Sequence, residues 1–377
     1  MRQNNLRSQS LDLLRFPLAL VVLAVHVFGA GINLNGNLIA FDNMPIYKGV
    51  NIFVDSFLHF QSVPIYFFIS GFVFFLGIEF TREKYVQKLK NRVKTLLIPY
   101  IIWNLIFVCF KLVSYVSIFN GVSSSNNYVF DFSVYPILMM FWDRSQGFIV
   151  DPVYQVDMHG IYPLNFPLWF VRDLMIVVLL TPVIFWFLKR MKHCAVLSLG
   201  TIWFLMGHFP DFFAHSYQIV TALFFFSWGA YMSVNNRNMI TEFNRYFRLS
   251  IILYPLLGVL HVFATLYCPA ATATIKSINI VVGLLFAYNL SAWLLSHGVC
   301  KVNSALASSS FFIYISHSII CNQMTRFLLV LLKPASDLCI VGIYVMSFVS
   351  TVSLLLLMYF MMKKHTPRLL TFITGRK

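Results

Sequence analysis

The stretch LDLLRFPLALVVLAVHVFGAG, residues 11–31, is apolar enough to cross a membrane, yet it carries two ionisable side chains, Arg15 and His26. Eleven helical residues turn about 1100° and rise about 16 Å, so these two side chains are predicted to share one face of a helix. Ionisable groups inside a bilayer are costly and are functional hypotheses by default. The stretch therefore predicts a first membrane helix with a polar face.

The composition of the whole chain agrees with a membrane protein. Of its 377 residues, 59% are hydrophobic and 11% are charged, whereas soluble domains carry about 25% charged residues. The net charge is +15, but the basic residues lie in short segments between apolar runs, as the positive-inside rule expects. This distribution does not indicate a nucleic-acid surface, so lipid bilayer is the expected partner and nucleic acid is not.

Hydropathy predicts an all-α polytopic membrane protein with about ten transmembrane helices. With both termini in the cytoplasm, twenty of the 28 Lys and Arg residues fall on the inner side and five on the outer side, a strong bias of the expected sign. The chain reads as one membrane-embedded domain over residues 1–377, with long outer loops near 32–56 and 119–166. The predicted spans are 11–31, 57–79, 95–118, 167–188, 194–212, 216–234, 249–267, 276–296, 307–332 and 338–362.

His26 and Arg15 each have a functional and a structural interpretation. The imidazole of His26 can act as a general base that takes a proton from a hydroxyl at neutral pH, or it can bond a neighbouring helix. Arg15 can anchor an anionic ligand that enters from the cytoplasm, or it can be neutralised by Asp12, three residues earlier. The shared helix face favours the functional interpretation of His26 and leaves that of Arg15 open.

Two inner segments offer further candidates. The basic loop REKYVQKLKNRVKTLLIPYIIW, which includes Arg92 and Lys94, is typical of a positive-inside cluster, and it can equally bind phosphates at the cytoplasmic face. In VPIYFFISGFVFF the small pair Ser70 and Gly71 favours close helix packing. A nucleophilic role for Ser70 would need a neighbouring base, which the sequence does not locate.

Two spans carry polar residues at membrane depth. LWFVRDL places Trp169 and Arg172 three residues apart on one helix face, with Asp173 beside them; these residues can anchor the helix at the interface or line a polar cavity. In SSSFFIYISHSII, a stripe formed by Ser310, Tyr314 and His317 predicts a wet internal cavity. We favour the cavity in both cases.

Five of these pieces together resemble the acyltransferase-3 family of bacterial membrane acyltransferases, over nearly the whole chain. They occur in order along the sequence, and each alone is weakly specific. They are Arg15-x10-His26, Phe68-x-Ser70-Gly71-Phe72, Pro99-Tyr100-x-x-Trp103, Leu168-Trp-Phe-x-Arg172-Asp-Leu and Phe312-x-Tyr314-x-x-His317.

The resemblance implies transfer of an acyl group, acetyl or succinyl, from cytoplasmic acyl-CoA to a hydroxyl of a cell-envelope or exported glycan or a lipid-linked sugar. O-acetylation of a polysaccharide at the bacterial cytoplasmic membrane is the expected setting. It also implies that Arg15 and His26 are catalytic. Relatives often carry an RxxR pattern in the basic loop, whereas here Thr95 follows Arg92 three residues on.

The expected roles of the candidate residues follow from that reaction. The donor acyl-CoA would contact Arg15, Arg92, Lys94 and Ser70. The acceptor would contact Trp169, Arg172, Asp173, Tyr314 and His317. No Walker A, GxSxG or HExxH motif and no acidic metal cluster occurs in the sequence, so no metal is expected.

Two other classes of protein remain open from sequence. A glycan or small-solute transporter or exporter would also place polar residues at several depths of the membrane, but no repeat and few intramembrane carboxylates support it. A sensory or scaffolding membrane domain is the third possibility. Protection by coenzyme A in a thermal-shift test would favour the enzyme.

Overall fold

The computed structural model describes residues 2–27, 31–34, 37–40, 44–77, 79–116, 129–147, 149–150, 161–334 and 336–375. These residues are predominantly helical, as predicted. In chain order the elements are α1 (Arg2–Val25), β1 (Gly31–Leu34), β2 (Asn37–Ala40), α2 (Pro45–Val54), a π-helical turn (Asp55–His59), α3 (Ser62–Phe75), α4 (Arg82–Arg92), a second π-helical turn (Val93–Leu97), α5 (Ile98–Val116), β3 (Val129–Phe130), α6 (Val134–Met139), a 3-10 turn (Arg144–Gln146), β4 (Ile149–Val150), a 3-10 turn (Phe166–Leu168), α7 (Trp169–Leu179), α8 (Thr181–Met191), α9 (His193–Met206), α10 (Pro210–Val234), α11 (Met239–Asn244), α12 (Phe247–Tyr267), α13 (Pro269–Ser296), α14 (Ser304–Leu332), α15 (Asp337–His365) and α16 (Pro367–Thr374).

The two long segments predicted as outer loops contain or adjoin the departures from an all-α fold. β1 pairs antiparallel with β2, and β3 pairs antiparallel with β4. These two short hairpins lie in or beside the segments predicted as loops, 32–56 and 119–166. Residues 117–128 and 151–160, which belong to or adjoin the second loop, lie outside the described residues.

Within the described residues, seven helices are long and apolar enough to cross a membrane, and an eighth span results if a bent pair counts as one. The bent pair corresponds to the predicted span 167–188: its two parts meet at an angle of 64° between Leu179 and Thr181. Pro182 lies in the first turn of α8, where it cannot donate a hydrogen bond back into the preceding helix, and this explains the break.

The remaining two predicted spans correspond to α9 and α10. α9 is apolar but has 14 residues, fewer than the approximately 20 that a perpendicular span requires. α10 has 25 residues. The count of ten spans and the cytoplasmic position of both termini therefore stay predictions, which reporter fusions at the two ends would test.

The chain divides into two compact units. The first unit comprises Met1–Val21, Phe53–Asn91 and Asp173–Ser310, and the second unit comprises Val22–Ile52, Arg92–Arg172 and Phe311–Lys377. Each unit is assembled from segments far apart in sequence, so its contacts depend on long-range packing.

A close crossing of α3 and α10 organises the first unit. A Cβ atom on Gly71 would overlap the carbonyl of Phe226, and one on Gly229 would overlap the carbonyl of Phe68. Ser233 adds a hydrogen bond from its hydroxyl to the carbonyl of Phe72, at 2.7 Å. The packing role expected for the Ser70-Gly71 pair is therefore observed at Gly71, because only a hydrogen atom fits between the two backbones.

The second unit joins the end of α1 to α14 and α15. The Tyr344 hydroxyl donates to the carbonyl of Ala24 at 2.9 Å, and the Thr325 hydroxyl donates to the carbonyl of Val27 at 3.1 Å. The Ala24 carbonyl also accepts from the Val27 N–H at 3.4 Å, so these bonds add side-chain donors to carbonyls at the end of α1 and in the turn that follows it. They also fix the backbone on both sides of His26.

Candidate functional site

His26 lies immediately after α1 rather than inside it. Helix α1 ends at Val25, and the His26 N–H bonds the carbonyl of Leu23 at 2.9 Å in a tighter turn. The predicted extension of this helix to about residue 31 is therefore wrong: the chain enters β1 at Gly31. The Cys321 thiol approaches the His26 carbonyl at 3.4 Å, which places α14 directly against this turn.

The imidazoles of His26 and His317 stack on each other in the second unit. Their ring centroids are 5.2 Å apart and their planes differ by 29°. His317 is fully buried, at 0% exposure. The sequence named both histidines as candidates, but nothing in it placed them in contact.

The hydrogen bonds of His317 define which ring nitrogen carries its proton. Its Nδ1 lies 2.6 Å from the carbonyl of Tyr314 and 3.2 Å from that of Ile313. A carbonyl oxygen only accepts hydrogen bonds, so Nδ1 must be the protonated nitrogen and, in the neutral ring, Nε2 carries the lone pair. Among the described residues, Nε2 is buried and has no hydrogen-bond partner. Buried polar atoms of this kind call for a ligand, a water or a catalytic role.

Phe166 contacts His26, one member of the histidine pair. Its ring meets the His26 ring edge-on, at 5.6 Å between centroids and an interplanar angle of 80°. The ring of Tyr162 lies 4.4 Å from it, and the guanidinium carbon of Arg144 lies 5.2 Å from its centroid. Phe166 therefore contacts His26 as well as Tyr162 and Arg144, which lie in the segment 119–166.

Arg172 holds that outer loop in place. Its Nη1 donates to the carbonyls of Trp142 and Ile161, at 2.9 and 3.0 Å, and its guanidinium lies 4.9 Å from the centre of the Trp142 ring. At 6% exposure it is a buried side chain. These contacts show that Arg172 stabilises the backbone at Trp142 and Ile161. A contact of Arg172 with a substrate stays a prediction.

Tyr314 ties α14 to the turn that carries Phe166. Its hydroxyl donates to the carbonyl of Pro167, its ring packs edge-on against Phe170 at 5.7 Å, and its ring centroid lies 6.1 Å from that of His317. The predicted stripe on α14 thus brings Tyr314 and His317 together. Trp169, half-buried at the start of α7, belongs to the same unit.

Arg15 is described in the first unit and His26 in the second. The Arg15 guanidinium pairs with the Asp12 carboxylate at 2.8 Å, and its side chain remains 30% exposed. This is the ion pair that the structural interpretation expected. A joint role of Arg15 and His26 is accordingly a proposal, which rests on their spacing along one chain segment.

The other predicted donor and acceptor residues are dispersed. Ser70 is half-buried in α3 and Asp173 is buried, both in the first unit. Arg92 ends α4, and Lys94 lies exposed in the following π-helical turn, where Gly375 packs against its carbonyl. Within the second unit, therefore, the structure brings together His26, His317 and Tyr314 and leaves Arg92 and Lys94 in a different part of the chain.

Asn165 and Asn104 are site residues that the sequence patterns did not single out. Both are 0% exposed, and the Asn165 N–H donates to the Asn104 side-chain oxygen at 3.0 Å. The available signal was a lone amide in each of two apolar stretches, IIWNLIF and PLNFPLW, since polar side chains at membrane depth are costly without partners.

The described residues contain no group of three or more His, Cys, Asp or Glu side chains that could hold a metal ion. The chemistry available to the site is that of two stacked imidazoles in contact with aromatic side chains. Such a pair can accept a proton from a hydroxyl or transfer one to a leaving group.

Comparison with known proteins gives one match. The family model described as an acyltransferase domain, that of the acyltransferase-3 family, matches residues 8–371. No curated protein and no solved structure matches the chain. The match spans essentially the whole sequence and includes both units. The chain therefore belongs to the acyltransferase-3 family and is an acyltransferase, with the apolar helices of a multi-pass membrane protein.

Proposed function

We propose that this enzyme transfers an acyl group, acetyl or succinyl, from cytoplasmic acyl-CoA to a hydroxyl of a cell-envelope glycan or lipid-linked sugar. The observation that carries the proposal is the stacked pair of His26 and His317, one face of which meets Phe166. A hydroxyl is a weak nucleophile, and a positioned imidazole raises its reactivity by taking its proton as the new bond forms.

The reaction then proceeds by direct displacement. The acceptor oxygen attacks the thioester carbonyl, its proton passes to the imidazole of His26, and the carbon–sulfur bond breaks. The protonated imidazole returns the proton to the thiolate, so the products are the acyl ester and free coenzyme A. Transient transfer of the acyl group to His26, with release of free coenzyme A, is the alternative route; the acceptor hydroxyl then attacks the acyl-imidazole, the ester forms and the imidazole is released.

The aromatic wall beside His26 suits a sugar. Phe166 and Tyr162 lie 4.4 Å apart between ring centroids, and Trp169 lies three residues after Phe166. Flat aromatic faces pack against the apolar faces of sugar rings, while a few polar groups orient the hydroxyls. We assign Trp169, Tyr314 and Arg172 to acceptor recognition, Tyr314 through its contact with the His317 ring and the other two through their place in α7. A contact of Asp173, which is described in the first unit, with the acceptor stays a prediction.

The acceptor class is tested on cells of a bacterium that makes the chain. We expect mass spectrometry of purified envelope glycans to show a mass increment of one acyl group per modified sugar, which is lost when the chain is deleted and restored when it is returned. The His26→Ala protein expressed to the same level is the matched control. Identical glycan spectra with and without the chain would exclude this acceptor class.

Arg15 is proposed to bind the phosphates of the donor. It pairs with Asp12 but keeps nearly a third of its side-chain surface exposed, so its guanidinium can also contact an anion. We expect Arg15→Ala to raise the KM for acyl-CoA about tenfold or more, since a charge-assisted hydrogen bond contributes about 1.5–3 kcal/mol. Steady-state kinetics in detergent measure this.

The matched control for Arg15 is Arg237→Ala. Arg237 forms a similar ion pair, with Glu242 at 2.7 Å, but we assign it no contact with substrate. It should leave the donor KM unchanged. An unaltered KM in Arg15→Ala would remove Arg15 from the donor site and leave only its pairing with Asp12.

A further inference from the structure

Asn165 is a completely buried amide whose polar groups all have partners. Its Nδ2 donates to the carbonyls of Trp103 and Ile315, at 3.5 and 3.4 Å, and its Oδ1 accepts from the Ser318 hydroxyl at 2.7 Å. Because two carbonyls can only accept, they determine which end of the amide is nitrogen. The Ser318 hydroxyl must then be the donor to Oδ1.

The backbone at Asn165 is held as well. Its N–H donates to the Asn104 Oδ1 at 3.0 Å, and the Nδ2 of Asn104 donates to the carbonyl of Tyr100 at 2.9 Å. One residue thus joins α5, the 3-10 turn Phe166–Leu168 and α14. Asn165 therefore holds together three segments of the second unit that are far apart in the sequence.

These contacts lie next to both histidines. Asn165 immediately precedes Phe166, whose ring edge meets His26. Ser318 immediately follows His317, and Ile315 comes two residues before it. A displacement of the Asn165 side chain would therefore move the Phe166 ring relative to the α14 backbone. It would also change the spacing between the His26 and His317 rings.

We propose that Asn165 is a positioning residue that sets the spacing and orientation of the His26 and His317 rings for acyl transfer. The inference rests on the proposed function of that histidine pair. Asn165 acts through its neighbours: it fixes Phe166, which contacts the His26 ring, and the turn of α14 that carries His317. Enzyme rates are sensitive to such positioning, because a shift of about 1 Å at the reacting groups can cost about 10²-fold in rate.

The test compares kcat, the donor KM and the pH dependence of kcat for Asn165→Leu, Asn165→Asp and Ser318→Ala, each normalised to correctly folded protein. Asn165→Leu keeps the side-chain size and removes every side-chain bond, and we expect kcat to fall by up to about 10²-fold with the KM for acyl-CoA unchanged. Asn165→Asp keeps the acceptor for Ser318 but turns a carboxylate oxygen toward the carbonyls of Trp103 and Ile315, which cannot donate to it, so it should also lower kcat. Ser318→Ala removes a single bond and should lower kcat by a smaller factor. The pH profile should move in all three.

The matched control is Asn289→Leu. Asn289 is also buried, at 4% exposure, and its Nδ2 donates to the carbonyl of Phe243 at 2.8 Å in the first unit. It should lose comparable thermal stability but keep the wild-type kcat and pH profile. This separates a lost buried hydrogen bond from lost positioning of the histidines.

Each outcome decides the question. A wild-type kcat and pH profile in Asn165→Leu, with His26→Ala inactive, would overturn the positioning role while leaving the proposed function intact. Full activity of His26→Ala would instead overturn the catalytic role of His26, on which the proposed mechanism rests. If Asn165→Leu fails to fold, Ser318→Ala takes its place in the test. A lowered kcat and a shifted pH profile in Ser318→Ala would support the proposal. An unchanged kcat and pH profile would contradict it.

Discussion

His26→Ala is expected to lower kcat for acyl transfer by about 10² to 10⁴-fold, the contribution of a well-placed general base. The physical reason is that the acceptor hydroxyl must lose its proton as it attacks the thioester, and the imidazole that stacks on His317 at 5.2 Å is the group placed to take it. The KM for acyl-CoA should change little, since the donor phosphates are assigned to Arg15. Transfer of radiolabelled acetyl from acetyl-CoA to glycan, measured with purified protein in detergent, gives both constants.

The control for this prediction is His261→Ala. His261 is another buried membrane histidine, at 3% exposure. Its Nδ1 lies 2.8 Å from the Ser56 hydroxyl in the first unit, and we assign neither side chain a role in the reaction. It should retain wild-type turnover per folded molecule even if it melts at a lower temperature. Turnover of His26→Ala equal to that of His261→Ala would show that His26 is not the base.

The candidate site was predictable from sequence as a set of residue types but not as a geometry. The i, i+3 spacing of Tyr314 and His317 follows from helix periodicity alone, and the two residues do lie together on α14. The stacking of His26 on His317 closes a loop of nearly three hundred residues, and no local pattern encodes such a contact. Asn165 was missed for the same reason. Its side chain joins α5 to α14, and the residues around it in the sequence do not indicate these long-range contacts.

The fold was predictable where hydropathy and length alone determine a helix. It was not predictable where tertiary contacts or a proline also determine where the helix ends. Helices α12 to α15 lie close to the predicted spans because hydropathy and length decide them. The end of α1 was misplaced because Tyr344 and Thr325 bond the carbonyls of Ala24, at its last turn, and of Val27, just beyond it, and a window of sequence does not contain these contacts. The break before α8 is explained by Pro182. Hydropathy still predicted one continuous span there, because the residues around Pro182 are apolar.

Gly71→Ala is expected to destabilise the protein strongly, because α3 and α10 approach each other at the backbone. The added methyl group would overlap the carbonyl carbon and oxygen of Phe226, and the reciprocal site, Gly229, faces the carbonyl of Phe68 in the same way. A flexible side chain could rotate away from such a clash, but a helical backbone cannot move without separating the two helices. Overpacking of a close interface typically costs about 1–3 kcal/mol, and contact with backbone on both helices places this site at the upper end. Thermal unfolding in detergent and the yield of monodisperse protein measure the loss.

Gly342→Ala is the matched control, since a Cβ atom there would have nothing within 4 Å. Gly342 lies inside α15, where alanine is the better helix former by about 1 kcal/mol. It should unfold at the wild-type temperature or above. Gly71→Leu, with a larger side chain at the same crossing, should give little or no folded protein, so that the loss grows with side-chain volume at position 71. An unchanged unfolding temperature in Gly71→Ala would mean that α3 and α10 lie farther apart than the backbone contact at Phe226 requires, and the packing of the first unit would have to be built on other contacts.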